Sequence, residues 1–280
     1  PGEENKPWRG RIVPSSTTDV TDFFRRTNGY NAFITYYANL TNGGIELRNI
    51  IDAFLIGTEY VGLNTYCSNA AAGTYPAIAR WKTLAATVKT IMNGSSQATD
   101  PLVGYAADWS EYTYNTTGGF TWFQMDALWS DTTIDFVGVD CYPPITPDLP
   151  QSQITEAVIQ QYWRAGEGWQ YYWNGARTVQ TNFSPSDGTS QYAWKNFEQW
   201  WNSVHYHNGN VGTPSAWTAK LKPLWFTEYG FPSVDCATNQ PNVFYDPKSV
   251  ENAFPRNSRG RVNFQAQREA INATLDLWEA

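Results

Sequence analysis

The fold class of this chain is decided by Phe54-Leu55-Ile56-Gly57-Thr58-Glu59, a short apolar run that ends in a carboxylate. Three further apolar runs of this kind follow, so that strands are predicted at residues 51–57, 101–107, 134–141 and 223–227. Strands that are apolar nearly throughout are typical of a parallel sheet that is covered on both faces.

Helical patterns lie between the predicted strands. They are predicted at residues 21–40, 76–92, 120–129, 154–173, 192–205 and 262–277, with Pro76 placed to begin the second. The fourth and fifth form a helical insertion at about residues 150–220, split by a polar loop at 182–190, and residues 115–119 are predicted as another loop. The alternation of strands and helices predicts βα units and an α/β fold with a parallel sheet.

Four strands amount to half of a (β/α)8 TIM barrel, whose sheet has eight. No convincing strand precedes residue 51 or follows the last helix, so either the sheet is open or the flanking strands lie outside this chain. The N-terminus, Pro1-Gly2-Glu3-Glu4-Asn5, shows no initiator Met and no signal-peptide pattern. We therefore interpret residues 1–280 as a partial TIM-barrel domain and expect it to be a fragment of a longer protein.

Composition restricts the classes of partner. The net charge of −7 and the sequence pI of about 4.9 argue against a nucleic-acid backbone, because binding it needs clustered Lys and Arg. The two densest basic runs, at 6–11 and 256–261, are interpreted as loop anchors. No stretch of about 20 apolar residues exists. Aromatic residues make up 16% of the chain, which indicates either core packing or a sugar site in which rings stack on pyranose faces.

Cysteine and histidine are scarce. Cys67, Cys141 and Cys236 show no metal-knuckle spacing, so neither a disulfide framework nor a zinc site is predicted, and Cys141 is interpreted as a buried thiol in a strand. His205 and His207 would share one face of a strand, which permits a metal pair, but a polar surface loop is favoured because no acidic or Cys partner is near in sequence. Two histidines give little support to a Ser-His-Asp mechanism, and no cofactor or metal is expected.

Acidic residues close all four predicted strands. Glu59 follows the first, Asp108 and Glu111 follow the second, Asp140 lies at the end of the third, and Glu228 follows the fourth. The C-terminal strand ends form the active-site face of a β/α barrel, so these acids are expected to converge on one cavity. Any one of them alone fits equally well as a helix cap or loop anchor. Together they favour glycoside hydrolysis, in which one acid protonates the departing oxygen and an ionised one attacks or stabilises the oxocarbenium centre.

Several longer strings resemble a known family. They are Ile-Gly-Thr-Glu at 56–59, Tyr-Ala-Ala-Asp-Trp-Ser-Glu-Tyr at 105–112, Ile-Asp-Phe-Val-Gly-Val-Asp-Cys-Tyr at 134–142, Trp-Phe-Thr-Glu-Tyr-Gly-Phe-Pro at 225–232, and the segments 7–12 and 239–249. They look like the TIM-barrel glycoside-hydrolase-like domain of gene-transfer-agent and phage tail-tip proteins, over about residues 6–268. More distantly, the strand ends resemble retaining glycosidases of the large clan that places its acid/base on strand 4 and its nucleophile on strand 7.

The resemblance implies roles for individual residues. Glu59 matches the acid/base and Glu228 the nucleophile, while Tyr142 matches a Tyr that hydrogen-bonds the nucleophile in many clan members. The four visible strands would then be strands 4 to 7 of the barrel. The other expected substrate contacts are Asp108, Trp109, Glu111, Asp140, Trp225 and Tyr229, with Glu111 as the substitute acid if Glu59 is misplaced. Thr58 stands where many clan members carry an Asn that contacts the sugar 2-hydroxyl, which leaves the substrate class open.

The resemblance also implies a location and partners. It implies a tail-tip or baseplate component of a phage or gene-transfer-agent particle, acting at the host cell surface on polysaccharide or cell-wall glycan. The expected partners are other tail or baseplate proteins and flanking parts of the same polypeptide, with a homotrimer as one expected assembly. Nucleic acid and a membrane span are not expected.

Two rival functions stay open. One is a non-catalytic receptor-binding module whose acids only accept hydrogen bonds from sugar hydroxyls, and the other is a structural tail domain that acts as a spacer. Carboxyl groups of Glu59 and Glu228 about 5 Å apart would indicate a retaining hydrolase, and about 6.5–9.5 Å an inverting one. Side chains that point apart, or are buried in ion pairs with Arg, would favour the non-catalytic functions. Trp81 and Trp129 are expected in the core, and the 239–249 loop either covers the cleft or contacts a neighbouring subunit.

Overall fold

A computed structural model describes residues 8–174, 176–184, 186, 189–209, 213–248 and 252–279. Residues 1–7, parts of the polar loop at 182–190, and Ser249 at the end of the 239–249 segment lie outside the described residues. The backbone contacts divide the chain into two compact units. The first unit comprises Arg9–Asp140 and Trp201–Thr227, and the second contains Cys141–Trp200 and Glu228–Ala280.

The helices and strands alternate along much of the chain. In chain order they are α1 (Thr17–Phe23), α2 (Tyr30–Ala38), β1 (Thr41–Asn42), β2 (Ile45–Glu46), β3 (Ala53–Thr58), α3 (Val61–Thr65), α4 (Pro76–Met92), β4 (Leu102–Asp108), β5 (Asn115–Thr117), β6 (Phe120–Trp122), α5 (Asp126–Trp129), β7 (Phe136–Cys141), α6 (Glu156–Trp163), β8 (Tyr171–Trp173), β9 (Gln180–Asn182), α7 (Phe197–Asn202), β10 (Leu224–Tyr229) and α8 (Phe264–Trp278). Within the described parts of the chain, no helix combines the length and the apolar character needed to cross a bilayer.

The four predicted strands form one parallel sheet in the order β10-β7-β4-β3. Phe54 pairs with Val103 across β3 and β4, and Tyr105 pairs with Val137 across β4 and β7. The central strands β4 and β7 are buried almost throughout, whereas β10 is partly exposed along its length. The predicted α/β class with a parallel sheet of four strands is therefore confirmed.

Helix α4 packs on the sheet through a fully buried Trp81, and it has its predicted bounds, Pro76–Met92. Gly57 in β3 makes room for this ring, because a Cβ at position 57 would lie 2.8 Å from Trp81 Cη2. Trp81 also contacts Tyr105, with ring centroids 5.1 Å apart. Trp129 in α5 is also fully buried, and its Nε1 donates to Tyr112 O at 3.1 Å. The prediction that both helical tryptophans belong to the core is confirmed.

The predicted single helix at 21–40 is wrong in extent. Ser16 forms a capping box with Asp19, so helix α1 begins earlier, at Thr17. It ends at Phe23, and Asn28 then adopts a left-handed backbone with φ of 58°. A left-handed residue cannot continue a right-handed helix, so the apolar spacing across 21–40 is shared between α1 and α2.

A hairpin replaces the loop predicted at 115–119 and the first three residues of the helix predicted at 120–129. Strands β5 and β6 pair antiparallel, with Thr116 opposite Thr121. Gly118 and Gly119 supply the two positive φ angles, 57° and 81°, that a tight hairpin turn needs. Only Asp126–Trp129 of the predicted helix is helical.

In the second unit the predicted helical insertion is only partly helical. Helix α6 packs against α8, and Trp163 Nε1 donates to Thr274 Oγ1 at 3.1 Å. Gly166 and Gly168 have positive φ angles of 80° and 74°, which end the helical path. Strands β8 and β9 then form an antiparallel hairpin where a helix or loop was expected.

Candidate functional site

The chain turns sharply where Glu59 follows strand β3. The pairing of β3 with β4 shifts by one residue between Leu55 and Thr58, as in a β-bulge. Glu59 then adopts a left-handed backbone with φ of 54°, and its N–H donates to Ala106 O at 2.9 Å. A left-handed residue other than glycine costs about 1–2 kcal/mol, and such conformations cluster at functional sites. The strained backbone of Glu59 thus sets the position of its side chain just beyond the strand end.

The Glu59 side chain is mostly enclosed and lies near a cation. It is 15% exposed, and its Oε2 lies 3.8 Å from Nη1 of Arg9, whose side chain is 44% exposed. An ion pair this long and this open to water contributes little to stability, about 0–1 kcal/mol. Arg9 is too exposed for this contact to be the buried ion pair that would mark Glu59 as a structural acid.

Asp140 connects the two residues that precede the predicted catalytic acids. The hydroxyls of Thr58 and Thr227 donate to Oδ2 and Oδ1 of Asp140, each at 2.7 Å. Asp140 is fully buried at the end of β7, where its carboxylate holds both threonine hydroxyls, and the substrate contact expected of it stays a prediction. A Thr-Glu dipeptide occurs at both 58–59 and 227–228, and this repetition is a sequence signal that could have revealed the arrangement.

A second buried acid, Glu111, lies in the interior of the first unit. It is 1% exposed, and its Oε1 accepts from Asn64 Nδ2 at 2.5 Å and from Tyr105 Oη at 2.9 Å. Its Oε2 accepts from the Asp108 N–H at 3.0 Å. Burial raises the pKa of Glu111 to about 8, although the hydrogen bonds from Asn64 and Asp108 favour the charged form.

The buried network around Glu111 reaches the loop of Glu59. Tyr105 Oη, which donates to Glu111, accepts from the N–H of Tyr60, the residue after Glu59, at 2.9 Å. Both carboxylate oxygens of Glu111 are engaged inside the protein. Glu111 thus supports this loop from the interior of the first unit, and the substrate contact expected of it stays a prediction. Tyr105 and Glu111 belong to the string at 105–112, but no motif includes Asn64, so the sequence does not reveal the network.

Asp108 is also turned inward. It is 8% exposed, and its Oδ1 accepts from the N–H of Ser110 at 2.8 Å and from the Ser110 hydroxyl. Burial raises the pKa of Asp108, and the hydrogen bonds from Ser110 oppose that rise. Trp109 is half-buried, so it keeps the most surface of the three expected substrate contacts that follow β4, namely Asp108, Trp109 and Glu111.

In the second unit, Glu228 and Tyr142 are in direct contact. Tyr142 Oη donates to Glu228 Oε2 at 3.0 Å, which is the hydrogen bond that the resemblance implies for a nucleophile. Glu228 is exposed at the end of β10, and the next residue, Tyr229, is 37% exposed. A phenol that donates to a carboxylate fixes its orientation and stabilises its charge.

The expected site residues are distributed over both units. The first unit holds Glu59, Asp108, Trp109, Glu111, Asp140 and Trp225, and the second holds Tyr142, Glu228 and Tyr229. Trp225 is 40% exposed and stacks on Phe136, with ring centroids 4.1 Å apart. The approach of the Glu59 and Glu228 carboxyl groups stays a prediction.

The prediction of a polar surface loop is wrong for His205. This histidine is 2% exposed, and its Nδ1 is hydrogen-bonded to Asp126 Oδ2 at 2.7 Å. The Ser215 hydroxyl also contacts Asp126 Oδ2, not the imidazole, so the three residues do not form a nucleophilic triad. Asp126 is 79 positions away from His205, which is why proximity in sequence did not reveal the acidic partner. In the parts of the chain that the structure describes, no three or more His, Cys, Asp or Glu residues are grouped to hold a metal ion.

The base of the 239–249 loop is anchored within the second unit. The fully buried Asn239 donates through Nδ2 to the carbonyl oxygens of Leu149 and Arg256, at 2.8 and 2.9 Å. Arg256 in turn binds Asp148 at 2.5 Å and Glu167 at 3.3 Å. Arg256 is thus a loop anchor, as predicted for the basic run at 256–261. The two predicted roles of the loop, covering a cleft or contacting a neighbouring subunit, stay predictions.

Comparison with known proteins gives one informative result. The model of a protein family described as the GTA TIM-barrel-like domain matches residues 28–280. None of the curated proteins compared with the chain matches it. The matched range includes the whole parallel sheet and both predicted catalytic acids, whereas Arg9 lies before it.

Proposed function

Because the chain belongs to the family of GTA TIM-barrel-like domains, found in gene-transfer-agent proteins, we propose that it is a retaining glycoside hydrolase of a gene-transfer-agent or phage tail tip. The proposed substrate is polysaccharide of the host cell surface or glycan of its cell wall. Glu59 is the proposed acid/base and Glu228 the proposed nucleophile. TIM-barrel folds host many activities, so the proposal depends on the site and not on the fold.

The arrangement around Asp140 is the observation that carries this proposal. Thr58 and Thr227 precede the two glutamates directly, and both donate to the same buried carboxylate at 2.7 Å. Two strand ends that share one buried acceptor are fixed relative to each other, as a two-carboxylate mechanism requires. If the acids lay at the strand ends by chance, no hydrogen-bond acceptor shared by the two strands would be expected.

The proposed mechanism has two displacements. Glu228 attacks the anomeric carbon while Glu59 gives its proton to the departing glycosidic oxygen, so that a glycosyl ester of Glu228 forms and the leaving sugar departs. Glu59, now ionised, then takes a proton from a water molecule, whose oxygen attacks the anomeric carbon and releases Glu228. Tyr142 Oη donates to Oε2 of Glu228, and Oε1 of Glu228 is the oxygen that attacks. The configuration at the anomeric carbon is retained.

A non-catalytic glycan-binding domain is the rival function, and the long contact of Arg9 with Glu59 is compatible with it. A carboxylate held 3.8 Å from a guanidinium can serve as a fixed acceptor for sugar hydroxyls without any proton transfer. In that case glycan binds but is not cleaved, and Glu59 is needed for affinity only.

The test is a cleavage assay of the full chain with host-type surface polysaccharide and with peptidoglycan. New reducing ends are measured, and proton NMR identifies the anomer that forms first. We expect the first product to keep the anomeric configuration of the substrate. We expect Glu59→Gln, Glu228→Gln and the double variant to abolish release while thermal unfolding is unchanged.

Glu46→Gln is the matched control, because Glu46 is a surface glutamate that pairs with Arg48. Release at the parental rate by the double variant would disprove the hydrolase. Binding of a glycan without cleavage by the parent protein would support the rival function. An inverted first product would leave hydrolysis in place and disprove the nucleophilic role of Glu228.

A further inference from the structure

The chain makes a long loop at residues 239–256, and the two ends of this loop are tied together. Asn239 Nδ2 donates to Arg256 O at 2.9 Å, and Arg256 Nη2 donates back to Asn239 O at 2.6 Å. The described residues that follow Asn239, up to 248 and from 252 to 256, contain no helix or strand. Loops of this length without secondary structure are usually functional or disordered, and the tied ends favour a functional loop.

Phe244 places the loop beside Glu228. Its ring centroid lies 6.0 Å from that of Tyr142, and the two rings are nearly perpendicular. Tyr142 Oη donates to Glu228 Oε2 at 3.0 Å, so one side chain connects Phe244 to the proposed nucleophile. All three residues belong to the second unit. A chain molecule that is bound at Glu228 and extends past Tyr142 therefore meets this loop.

Tyr245 and Phe254 form a stacked pair in the same loop. Their ring centroids are 4.9 Å apart, and the ring planes differ by 8°. Gly260 lies against the Phe254 ring, where a Cβ would come within 2.5 Å of Cζ. Tyr245 is 59% exposed although Phe254 covers one of its faces, so the opposite face is open to water. The loop thus presents a flat aromatic face on a packed support.

The aromatic rings of the loop are exposed near an exposed carboxylate. Phe244 is 49% and Phe254 42% exposed, and Glu228 is exposed as well. Exposed apolar surface of this kind marks binding sites. A protein that covered Phe244 would also remove water from the Glu228 carboxylate, which is costly unless a matching donor replaces the water. A sugar chain meets both needs, because its hydroxyls donate to a carboxylate and its ring faces stack on aromatic rings.

We propose that Tyr245 and Phe244 bind a glycan chain that extends from Glu228, with Tyr245 stacked on one sugar ring and Phe244 in contact with a sugar nearer to Glu228. Phe254 acts by supporting the ring of Tyr245. This inference rests on the proposed function and deepens it, because the substrate is then a chain of several sugars and not a single glycoside. The loop forms part of the substrate site and not a contact to a neighbouring subunit.

The test measures binding in the Glu59→Gln, Glu228→Gln background, so that cleavage does not consume the ligand. The probes are chitohexaose, followed by titration, and peptidoglycan sacculi, followed by co-sedimentation. We expect at least one of them to bind. Tyr245→Ala and Phe254→Ala should each weaken binding at least about 10-fold, because the stacking face or its support is lost. Tyr245→Phe keeps the ring face and should bind as the background protein does.

Tyr36→Ala is the matched control, because Tyr36 is 66% exposed and its ring also contacts an aromatic neighbour, Tyr37. It should bind as the background protein does, and thermal unfolding verifies that every variant is folded. Failure of both probes to bind, undiminished binding by Tyr245→Ala, or weakened binding by Tyr245→Phe or Tyr36→Ala would overturn the proposal.

Cleavage by the parent protein separates this proposal from the proposed function. A probe that binds through Tyr245 but is never cleaved would disprove the hydrolase and leave the glycan-binding loop in place. Cleavage of either probe by Tyr245→Ala with the KM of the parent would disprove the loop's role and leave the hydrolase in place.

Discussion

Thr58 Oγ1 donates to Asp140 Oδ2 at 2.7 Å although strand β4 lies between the strands that carry these two residues. In a flat sheet, residues two strands apart are separated by roughly 9.6 Å, beyond the comfortable reach of two short side chains. Ala106 on β4 pairs with Thr58 and offers no side chain beyond Cβ to block the path. The sheet therefore curves at the C-terminal ends of its strands, toward the face that carries Thr58 and Asp140, as the wall of a barrel does.

We expect Asp140→Ala to destabilise the protein by about 2–4 kcal/mol, because it leaves the hydroxyls of Thr58 and Thr227 without their buried acceptor. The measurement is the free energy of unfolding in urea. Asp22→Ala is the control: Asp22 is a helix residue whose side chain is 56% exposed, so its replacement should cost no more than about 0.5 kcal/mol. Equal stability of the two variants would show that Asp140 does not connect the strand ends.

Tyr142→Phe tests the orientation of the proposed nucleophile. The variant loses the hydrogen bond from Oη to Glu228 Oε2, and bonds to charged groups contribute about 1.5–3 kcal/mol. If the bond reaches that strength only in the transition state, kcat falls by roughly 10- to 100-fold. In the free protein the bond is exposed to water, so the free energy of unfolding changes by no more than about 1 kcal/mol. Tyr172→Phe, at an exposed hairpin position, is the control. Turnover by Tyr142→Phe at the parental rate would contradict the role of Tyr142.

The left-handed backbone of Glu59 makes a prediction about stability that does not depend on activity. At φ of 54°, Glu59→Gly should be more stable than Glu59→Ala by about 1 kcal/mol, because only glycine adopts this conformation without a Cβ clash. Urea unfolding of both variants measures the difference. The same pair of substitutions at Glu46, where φ is −73°, should give the opposite order. The same order at both positions would mean that Glu59 is not strained.

The sequence reveals the elements that depend on local pattern. The apolar run at 134–141 is recognisable because β7 is buried on both faces, and the run at 51–57 is equally apolar although β3 lies at the sheet edge and is partly exposed. Pro76 marks the start of α4. The hairpin at 115–122 is missed because its two glycines look like an ordinary loop unless the pairing of Thr116 with Thr121 is known.

The parts of the site that could not be predicted depend on contacts between distant positions. Asp140 meets Thr58 across 82 residues, and His205 meets Asp126 across 79. Strand ends can be read from sequence, but strand order and curvature decide which side chains they bring together. An acid at a strand end therefore looks the same in sequence whether it faces a substrate or lies buried, as Glu111 does.

Glu111 makes the stability of the protein depend on pH. Its pKa in the folded chain is raised to about 8 by burial, from 4.5 for an ordinary glutamate, so the folded state keeps a proton that the unfolded state releases between these values. The stabilisation is complete below the unfolded pKa and is lost as the pH rises through the folded one. We expect this group to lower the free energy of unfolding between about pH 5 and about pH 8, by at most about 1.4 kcal/mol per pH unit.

The comparison with Glu111→Gln isolates this contribution, because an amide does not titrate. The variant is expected to be less stable at every pH, because the NH2 of its side chain would face the Asp108 N–H. The comparison therefore uses the slope of the free energy of unfolding against pH and not its absolute value. Urea unfolding of parent and variant at several pH values in this range gives both slopes. The variant should have the flatter one, and Glu46→Gln should keep the parental slope. Parallel lines for parent and Glu111→Gln would mean that Glu111 is ionised inside the fold.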